Sequence, residues 1–374
     1  MKKVAIVGGG ISGLYLANEL NKENEVDYKI FEKKEYFNLN EGYGIQLSVN
    51  SIKLLNKIGF KNISASDVYY PTKVNFFQAN SINKICEIDL KQFNNDYDRY
   101  TTLKRSTLLK FLFDNIPNEK IQFNAKIKNI EYNEKIEISC GNNKEKFDYL
   151  VIADGVFSKF KSQISKNTLK PFFNGNIALR ANLKQHERDN ISIYMGSNFH
   201  YVTYPVNQKL EYNFVAIIKK KLNDEEIENK NILNSEIFLK SLKDFITKNS
   251  KLNLENLIDL KCFPIFVSPG LPILKYQNTF LSGDALFAFP PSFAQGASQS
   301  IETANGILEN ITNSNSIYKD KISKILLVNK RSKLNHFAFH LTNPIIILIR
   351  NIVLKFLSKN KKFLESYLGK IYRN

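Results

Sequence analysis

Cysteine is scarce in this chain, and tryptophan is absent. The three cysteines, Cys86, Cys140 and Cys262, are odd in number and far apart, which excludes a disulfide framework and a Cys-x-x-Cys metal site. A reducing cytoplasm suits such a chain. Long apolar runs are lacking too. Met1-Lys2-Lys3-Val4-Ala5-Ile6-Val7 opens like a secretory leader, but the run is short and stops in three glycines, so it reads as a strand. Near the C-terminus, Ile345 to Ile349 and Ile352 to Leu354 are strongly apolar. Arg350, Asn351 and Lys355 interrupt them, short of the about 20 residues that a spanning helix needs. Acidic residues are outnumbered: 53 Lys and Arg face 36 Asp and Glu, a net charge of +17. Nucleic-acid binding, attraction to an anionic membrane and a merely Lys-rich solvated surface would all produce this balance. No dense arginine block or basic-aromatic signature occurs, so no nucleic acid is expected as partner. The positive field would also draw in anionic substrates and nucleotide phosphates.

What is present is globular. With 374 residues, 43% hydrophobic and 24% charged, the chain suits two or three packed lobes. Val4 to Val7 is a continuous apolar strand, the kind buried on both faces of a parallel sheet. It runs into Gly8-Gly9-Gly10-Ile11-Ser12-Gly13, with the Gly-x-Gly-x-x-Gly spacing at Gly8, Gly10 and Gly13. Those glycines serve a tight turn, close approach to a pyrophosphate and close helix–strand packing. Leu14, Leu16, Ala17 and Leu20 then form a helical stripe, and the N-terminus of that helix points its free N–H groups at phosphate. A second strand, Tyr28-Lys29-Ile30-Phe31, ends on Glu32, where the ribose-binding acid is expected about 20 residues past the glycines. An adenine dinucleotide is the predicted ligand.

Three later segments carry a family resemblance. Gly42-Tyr43-Gly44-Ile45-Gln46-Leu47-Ser48-Val49-Asn50 and the following helix Ser51-Ile52-Lys53-Leu54-Leu55 look like the segment after the first βαβ unit of class A flavoprotein aromatic hydroxylases. Within that group the salicylate and 3-hydroxybenzoate hydroxylase branch is most similar. Arg105, opening the helix Ser106-Thr107-Leu108-Leu109, matches the family arginine that contacts FAD. Asp148 to Ser158 delivers Asp154-Gly155 to a turn that resembles the family's Asp-Gly motif, associated with flavin and pyridine nucleotide. Lys161 stands where the family usually has arginine and lacks the bidentate fork. Thr279-Phe280-Leu281-Ser282, Gly283-Asp284-Ala285, Pro290-Pro291, Gln295-Gly296 and the helix carrying Ile301-Glu302-Thr303-Ala304 resemble the second FAD motif. There the aspartate binds the ribityl hydroxyls, and the helix aims its N-terminus at the flavin O2/N1 edge. Phe287 replaces the usual histidine, and Thr303 an acidic residue.

The resemblance runs from Gly8 to about Ala304 and implies noncovalent FAD. Its implied contacts are Gly8, Gly10, Ser12, Gly13, Glu32, Gln46, Arg105, Ile127, Asp154, Gly155, Asp284, Pro291, Gly296 and Ala297. No second Gly-x-Gly-x-x-Gly occurs, which fits a family in which NAD(P)H visits the single active site as co-substrate. The missing tryptophan removes the Trp-x-Trp signature of flavin halogenases.

Between the two later motifs lie alternating strands at residues 177–183, 199–204 and 213–218, with 74–77 and 85–88 as a further hairpin. In the family such a sheet roofs the substrate pocket. His200-Tyr201-Val202-Thr203-Tyr204-Pro205-Val206 is similar to the histidine, tyrosine and proline of hydroxybenzoate hydroxylases. The implied chemistry hydroxylates a small phenolic substrate with O₂ through a flavin C4a-hydroperoxide, which a base assists by deprotonating the ring hydroxyl. Histidine has the right unperturbed pKa. Of the four histidines, His186, His336 and His340 lie outside any motif, so His200 is the candidate base, with Tyr204 and Gln295 counted beside it. A partly exposed strand histidine is the alternative. His200, Val202 and Tyr204 are spaced by two and face one way. No metal site is expected.

The predicted fold is α/β: a Rossmann-type FAD-binding domain (1–72, 101–168, 276–330), a β-sheet substrate domain (73–100, 169–275) and a C-terminal helical region (331–374). That last region is helical in pattern from His336 to Phe356, broken by Pro344 and followed by Lys359, Lys361 and Lys362. It packs on the FAD lobe or a homodimer partner, or lies on an anionic membrane. Two rival functions stay open. One is the same fold acting on a quinone precursor or isoprenoid at a membrane surface by hydroxylation, epoxidation or reduction, and the other is a membrane-peripheral, non-catalytic flavoprotein.

Overall fold

The computed structural model describes residues 1–37, 39, 42–81, 83–167, 169–184, 190–252, 254–313 and 317–373. His186 lies outside the described residues. The N-terminal apolar run forms the strand Lys2–Val7, in which Val4, Ala5 and Ile6 are fully buried. It is central in a parallel sheet of five strands, in the order Thr279–Leu281, Tyr149–Ile152, Lys2–Val7, Val26–Phe31 and Ile121–Gln122. Val7 pairs with Ile152 on one side and Phe31 on the other, so three loops leave the sheet at one end. Helices Ile11–Leu20 and Gly296–Asn313 pack on it and on each other, with Leu14, Leu16, Ile301 and Ile307 in the shared core. Burial on both faces accounts for the lack of alternation in these strands.

The second sheet has seven strands, ordered Leu257–Val267, Phe172–Lys184, Glu211–Lys219, Phe199–Pro205, Ile191–Gly196, Lys73–Gln78 and Lys84–Asp89. Every pairing is antiparallel except Ile191–Gly196 with Lys73–Gln78. The period of two sorts its side chains cleanly. Phe199, Tyr201, Phe214 and Ala216 join Leu242 and Ile246 of the helix Glu236–Asn249 in a core. His200, Val202, Tyr204, Val215 and Ile217 face the other way, into a cavity. Asp224 opens the short helix Asp224–Glu228, where Asn223 makes a capping box with Glu226. It is exposed.

Helix Ile317–Phe339 follows and runs through residue 330, where sequence reasoning drew a domain edge. Pro344, which broke the helical pattern, starts a new helix, Pro344–Leu357, in which the Asn343 side chain accepts from the N–H of Ile345 at 2.9 Å. Among the described residues no helix is long and apolar enough to cross a membrane.

Candidate active site

The glycine turn is built as its spacing predicts. Gly8 has φ +109°, and a Cβ there would sit 2.5 Å from the Ala153 carbonyl oxygen, while one at Gly13 would sit 2.1 Å from the Gly8 carbonyl oxygen. Those two glycines are steric necessities of the turn. Gly10 differs, because a Cβ there would find its nearest neighbour 3.9 Å away, leaving open space above the backbone. The Glu32 carboxylate accepts the Gly9 N–H at 2.7 Å and the Lys34 N–H at 2.9 Å. It therefore clamps the turn as well as facing it. The Ser12 hydroxyl bonds that of Ser282 and reaches the Ser300 carbonyl at 3.1 Å. The Ser12 side chain thus braces the first glycine turn against the second motif. Ile127 opens the strand Ile127–Tyr132 and packs against the main core.

Two further loops flank that turn. Gly155 has φ +89° with nothing within 4 Å of a Cβ, and the buried Asp154 Oδ1 has no hydrogen-bond partner. Burial pushes the Asp154 carboxyl above its usual range. Asp284 is exposed to the open cavity; desolvation by the protein around it raises its pKa, opposed by the charges of Arg105 and Lys161. Arg105 begins the helix Arg105–Asp114 and is exposed. Lys161 is buried, and its burial lowers the ammonium pKa while Asp154 and Asp284 raise it. Its charge thus lies between two acids. Gly296 opens the helix Gly296–Asn313 with no atom within 4 Å of its Cβ position. Gln295 is fully buried; its Oε1 accepts from Ser48 at 3.4 Å and Gln299 at 3.3 Å, and its Nε2 has no partner.

These observations test the fit of a flavin dinucleotide. Open backbone at Gly10 and Gly296, and orphaned buried polar atoms at Asp154 and Gln295, are what a bound polar group would fill and satisfy. The residues fit.

A cavity of about 600 Å³ begins at Asp284, Pro291, Gln295, Gly296 and Ala297 and extends under the seven-stranded sheet. Gln46, His200 and Tyr204 line it too, so eight of the expected residues share one wall. Gly8, Gly10, Glu32, Arg105 and Asp154 are not among its lining residues. Most of the lining is apolar. Its polar side chains include residues missed in the sequence: Tyr100, Tyr372 and Arg180. The Tyr100 hydroxyl donates to Gln46 Oε1 at 2.8 Å, Tyr204 shares a hydrogen bond with Gln46, and Tyr372 with Tyr100. Burial holds all three phenols protonated.

His200 is buried, not partly exposed, and sits in a cluster of three histidines. Its Nδ1 lies 2.8 Å from His340 Nε2, and His336 Nδ1 lies 3.2 Å from Ser292 Oγ. Nitrogens of the three rings fall within 4.8 Å of one another. Desolvation, then the neighbouring histidines, holds His200 well below its ordinary pKa, and His340 is lowered to about 3. The trio is neutral. Three neutral imidazoles can hold a metal ion, but here the Lys219 charge acts on His336 and His340, and among the described residues no carboxylate joins the group. The i, i+4 spacing of His336 and His340 was the available signal, since it puts both on one helix face.

Comparison with known proteins agrees with this geometry. The family model described as FAD binding domain matches residues 1–311. An FAD-dependent monooxygenase of Gibberella zeae is 28% identical over 170 residues, 43% of this chain and 36% of that protein. The chain spans only about a third to a half of the first curated relatives it matches. Salicylate hydroxylase of Pseudomonas putida is 23% identical over 336 residues, 81% of this chain and 74% of that protein. Among solved structures, Klebsiella pneumoniae HpxO complexed with FAD and uric acid superposes with a TM-score of 0.82 at 13% identity, covering 99% of this chain and 96% of that one.

Proposed function

The chain belongs to the FAD binding domain family, with the fold of the class A aromatic hydroxylases, and on that premise we propose that it is a monooxygenase using NAD(P)H and O₂ to hydroxylate a small aromatic, phenolic substrate. The observation that carries this reading is one cavity walled at one end by Asp284, Pro291, Gly296 and Ala297 and roofed by His200, Val202 and Tyr204. A redox group and an organic ring would meet there, away from bulk water. The salicylate hydroxylase relative supports an aromatic substrate.

FAD would be held by the glycine turn, Glu32, Asp154, Asp284 and the N-terminus of helix Gly296–Asn313, and when bound it supplies the two-electron chemistry that activates O₂. The chain's own residues do the rest. Arg180 lines the cavity near Tyr204 and offers a charge for a phenolate or carboxylate. Tyr204, Gln46, Tyr100 and Tyr372 form a hydrogen-bonded wall that holds a second polar substituent of the ring. With His200 Nδ1–H donating to His340 Nε2, His200 Nε2 is left to accept the hydroxyl proton. Burial weakens His200 as a resting base, so it holds that proton briefly and shares it with His340.

The experiment is a screen of phenolic acids with purified holoprotein, measuring NAD(P)H oxidation and hydroxylated product together. Stimulated oxidation with near-stoichiometric product is expected. Flavin that is reduced without any ring compound being oxygenated would overturn the reading.

A further inference from the structure

The outer face of helix Pro344–Leu357 is apolar and open. Ile345, Ile346, Leu348, Ile349, Ile352, Val353 and Phe356 are each 44% to 74% exposed. At 100° per residue these positions fall within about half of the helix circumference, so they form one continuous face. Leu334 and Phe337 on the preceding helix are also exposed. A patch this contiguous is unusual on a solvated surface and marks a contact.

Charge identifies the partner. From Lys321 to Leu364 there are ten Lys and Arg and no Asp or Glu. Lys321 and Lys324 pair with Glu302, whereas Lys330, Lys333, Lys355, Lys359, Lys361 and Lys362 are exposed around the apolar face. An apolar face rimmed with lysine is the pattern of a helix lying in an anionic lipid surface. Two copies joined through this face by a two-fold axis would bring those lysines together and be repelled.

The inner side of the same helix walls the cavity. Arg350, Val353, Leu354 and Leu357 line it, and Leu334 and Val353 belong both to the lining and to the exposed patch. Apolar side chains make up most of the lining, among them Phe76, Ile88, Ile193, Phe339 and Phe363. The polar groups Arg180 and Tyr204 lie on the strands that roof it, and Gln46 on the separate strand Gly44–Leu47.

We propose that helix Pro344–Leu357 docks on an anionic phospholipid surface and admits from it a substrate with an aromatic head and a long apolar chain. This rests on the monooxygenase reading and narrows its substrate. The bilayer lies against the outer face, the chain of the substrate occupies the apolar part of the cavity, and its ring meets the polar strand residues.

The test uses holoprotein and co-sedimentation with vesicles of phosphatidylcholine alone or with about one third phosphatidylglycerol, for which tenfold or tighter binding is expected, since each lysine near the surface contributes. The variant I349E/F356E should lose binding to both vesicles. The variant K359Q/K361Q/K362Q should lose only the anionic preference. Neither alters a cavity-lining residue, so flavin content and NAD(P)H-driven flavin reduction should stay as in the wild type, which also confirms folding. A prenylated phenol supplied in vesicles should be hydroxylated by the wild type and at least tenfold more slowly by I349E/F356E, with a water-soluble phenol turned over equally by both. Wild type that ignores anionic vesicles, or I349E/F356E that binds them as well as wild type, overturns the docking. So does a dimer in solution that I349E/F356E dissociates without any vesicle binding. Vesicle binding with no oxygenation of any phenol would overturn the monooxygenase reading instead.

Discussion

His200 Nδ1 and His340 Nε2 face each other at 2.8 Å, across 140 residues of sequence. One ring must donate and the other accept, so the pair selects the tautomer of each. That contact joins the roof of the cavity to the end of helix Ile317–Phe339.

His200→Ala should still bind FAD and still be reduced by NAD(P)H. Hydroxylation should fall by about 10²–10⁴-fold, the range for a lost general base, with H₂O₂ released in place of product. The measurement is product per NAD(P)H consumed in wild type, His200→Ala and Tyr204→Phe. Coupling retained in His200→Ala would make this histidine a packing residue and move the proton to Tyr204 or to a bound water.

Stability should fall on mild acidification. His340 is lowered from 6.5 to about 3 by burial first, so between those values the unfolded chain binds more protons than the folded one. Its contribution is complete above about pH 6.5 and is lost as pH drops, by ~1.4 kcal/mol per pH unit. Urea unfolding of wild type and His340→Gln at pH 7.5, 6.5 and 5.5 tests this. The variant should lose less stability over that interval, and parallel losses would contradict the assignment.

Asp284→Ala should strip flavin from the protein, while Asp224→Ala, on the exposed helix Asp224–Glu228, should not. Absorbance of the purified proteins gives the flavin content directly. Equal occupancy in the two would remove Asp284 from the site.

Glu32→Ala loses two charge-assisted bonds to backbone N–H groups, at 2.7 and 2.9 Å. Glu32 is also the acid expected to accept from the ribose, a charge-assisted bond worth roughly 1.5–3 kcal/mol, so the flavin Kd should rise by at least tenfold. Fluorescence titration of stripped protein measures it, and an unchanged Kd would leave Glu32 with no part in binding.

The glycines should separate by role. A Cβ at Gly13 would sit 2.1 Å from a backbone oxygen, whereas at Gly10 it has room. Gly13→Ala should therefore cost about 1–3 kcal/mol of stability through overpacking. Gly10→Ala should melt like wild type without flavin yet bind flavin weakly. Identical behaviour of the two in both assays would refute the distinction.

The parts of the molecule readable in advance were those whose signals are local. Val4 to Val7 is apolar because both faces of its strand are buried, and Gly8 and Gly13 follow because only glycine fits that turn. Asp284, Pro291 and Gly296 sit at motif spacing on one loop, and the structure brings them to one cavity wall. The alternation of His200, Val202 and Tyr204 foretold their common face.

Other features depended on which distant segments meet. Nothing near Ser12 in sequence announces Ser282, and nothing near Gln46 announces Tyr100. His200 looked alone because its partners arrive on a helix that begins more than a hundred residues later. The apolar run 345–349 also carried two meanings, core or surface. Spacing gives a helix its apolar side, but only the packed neighbours decide whether protein covers that side, and here they leave it open.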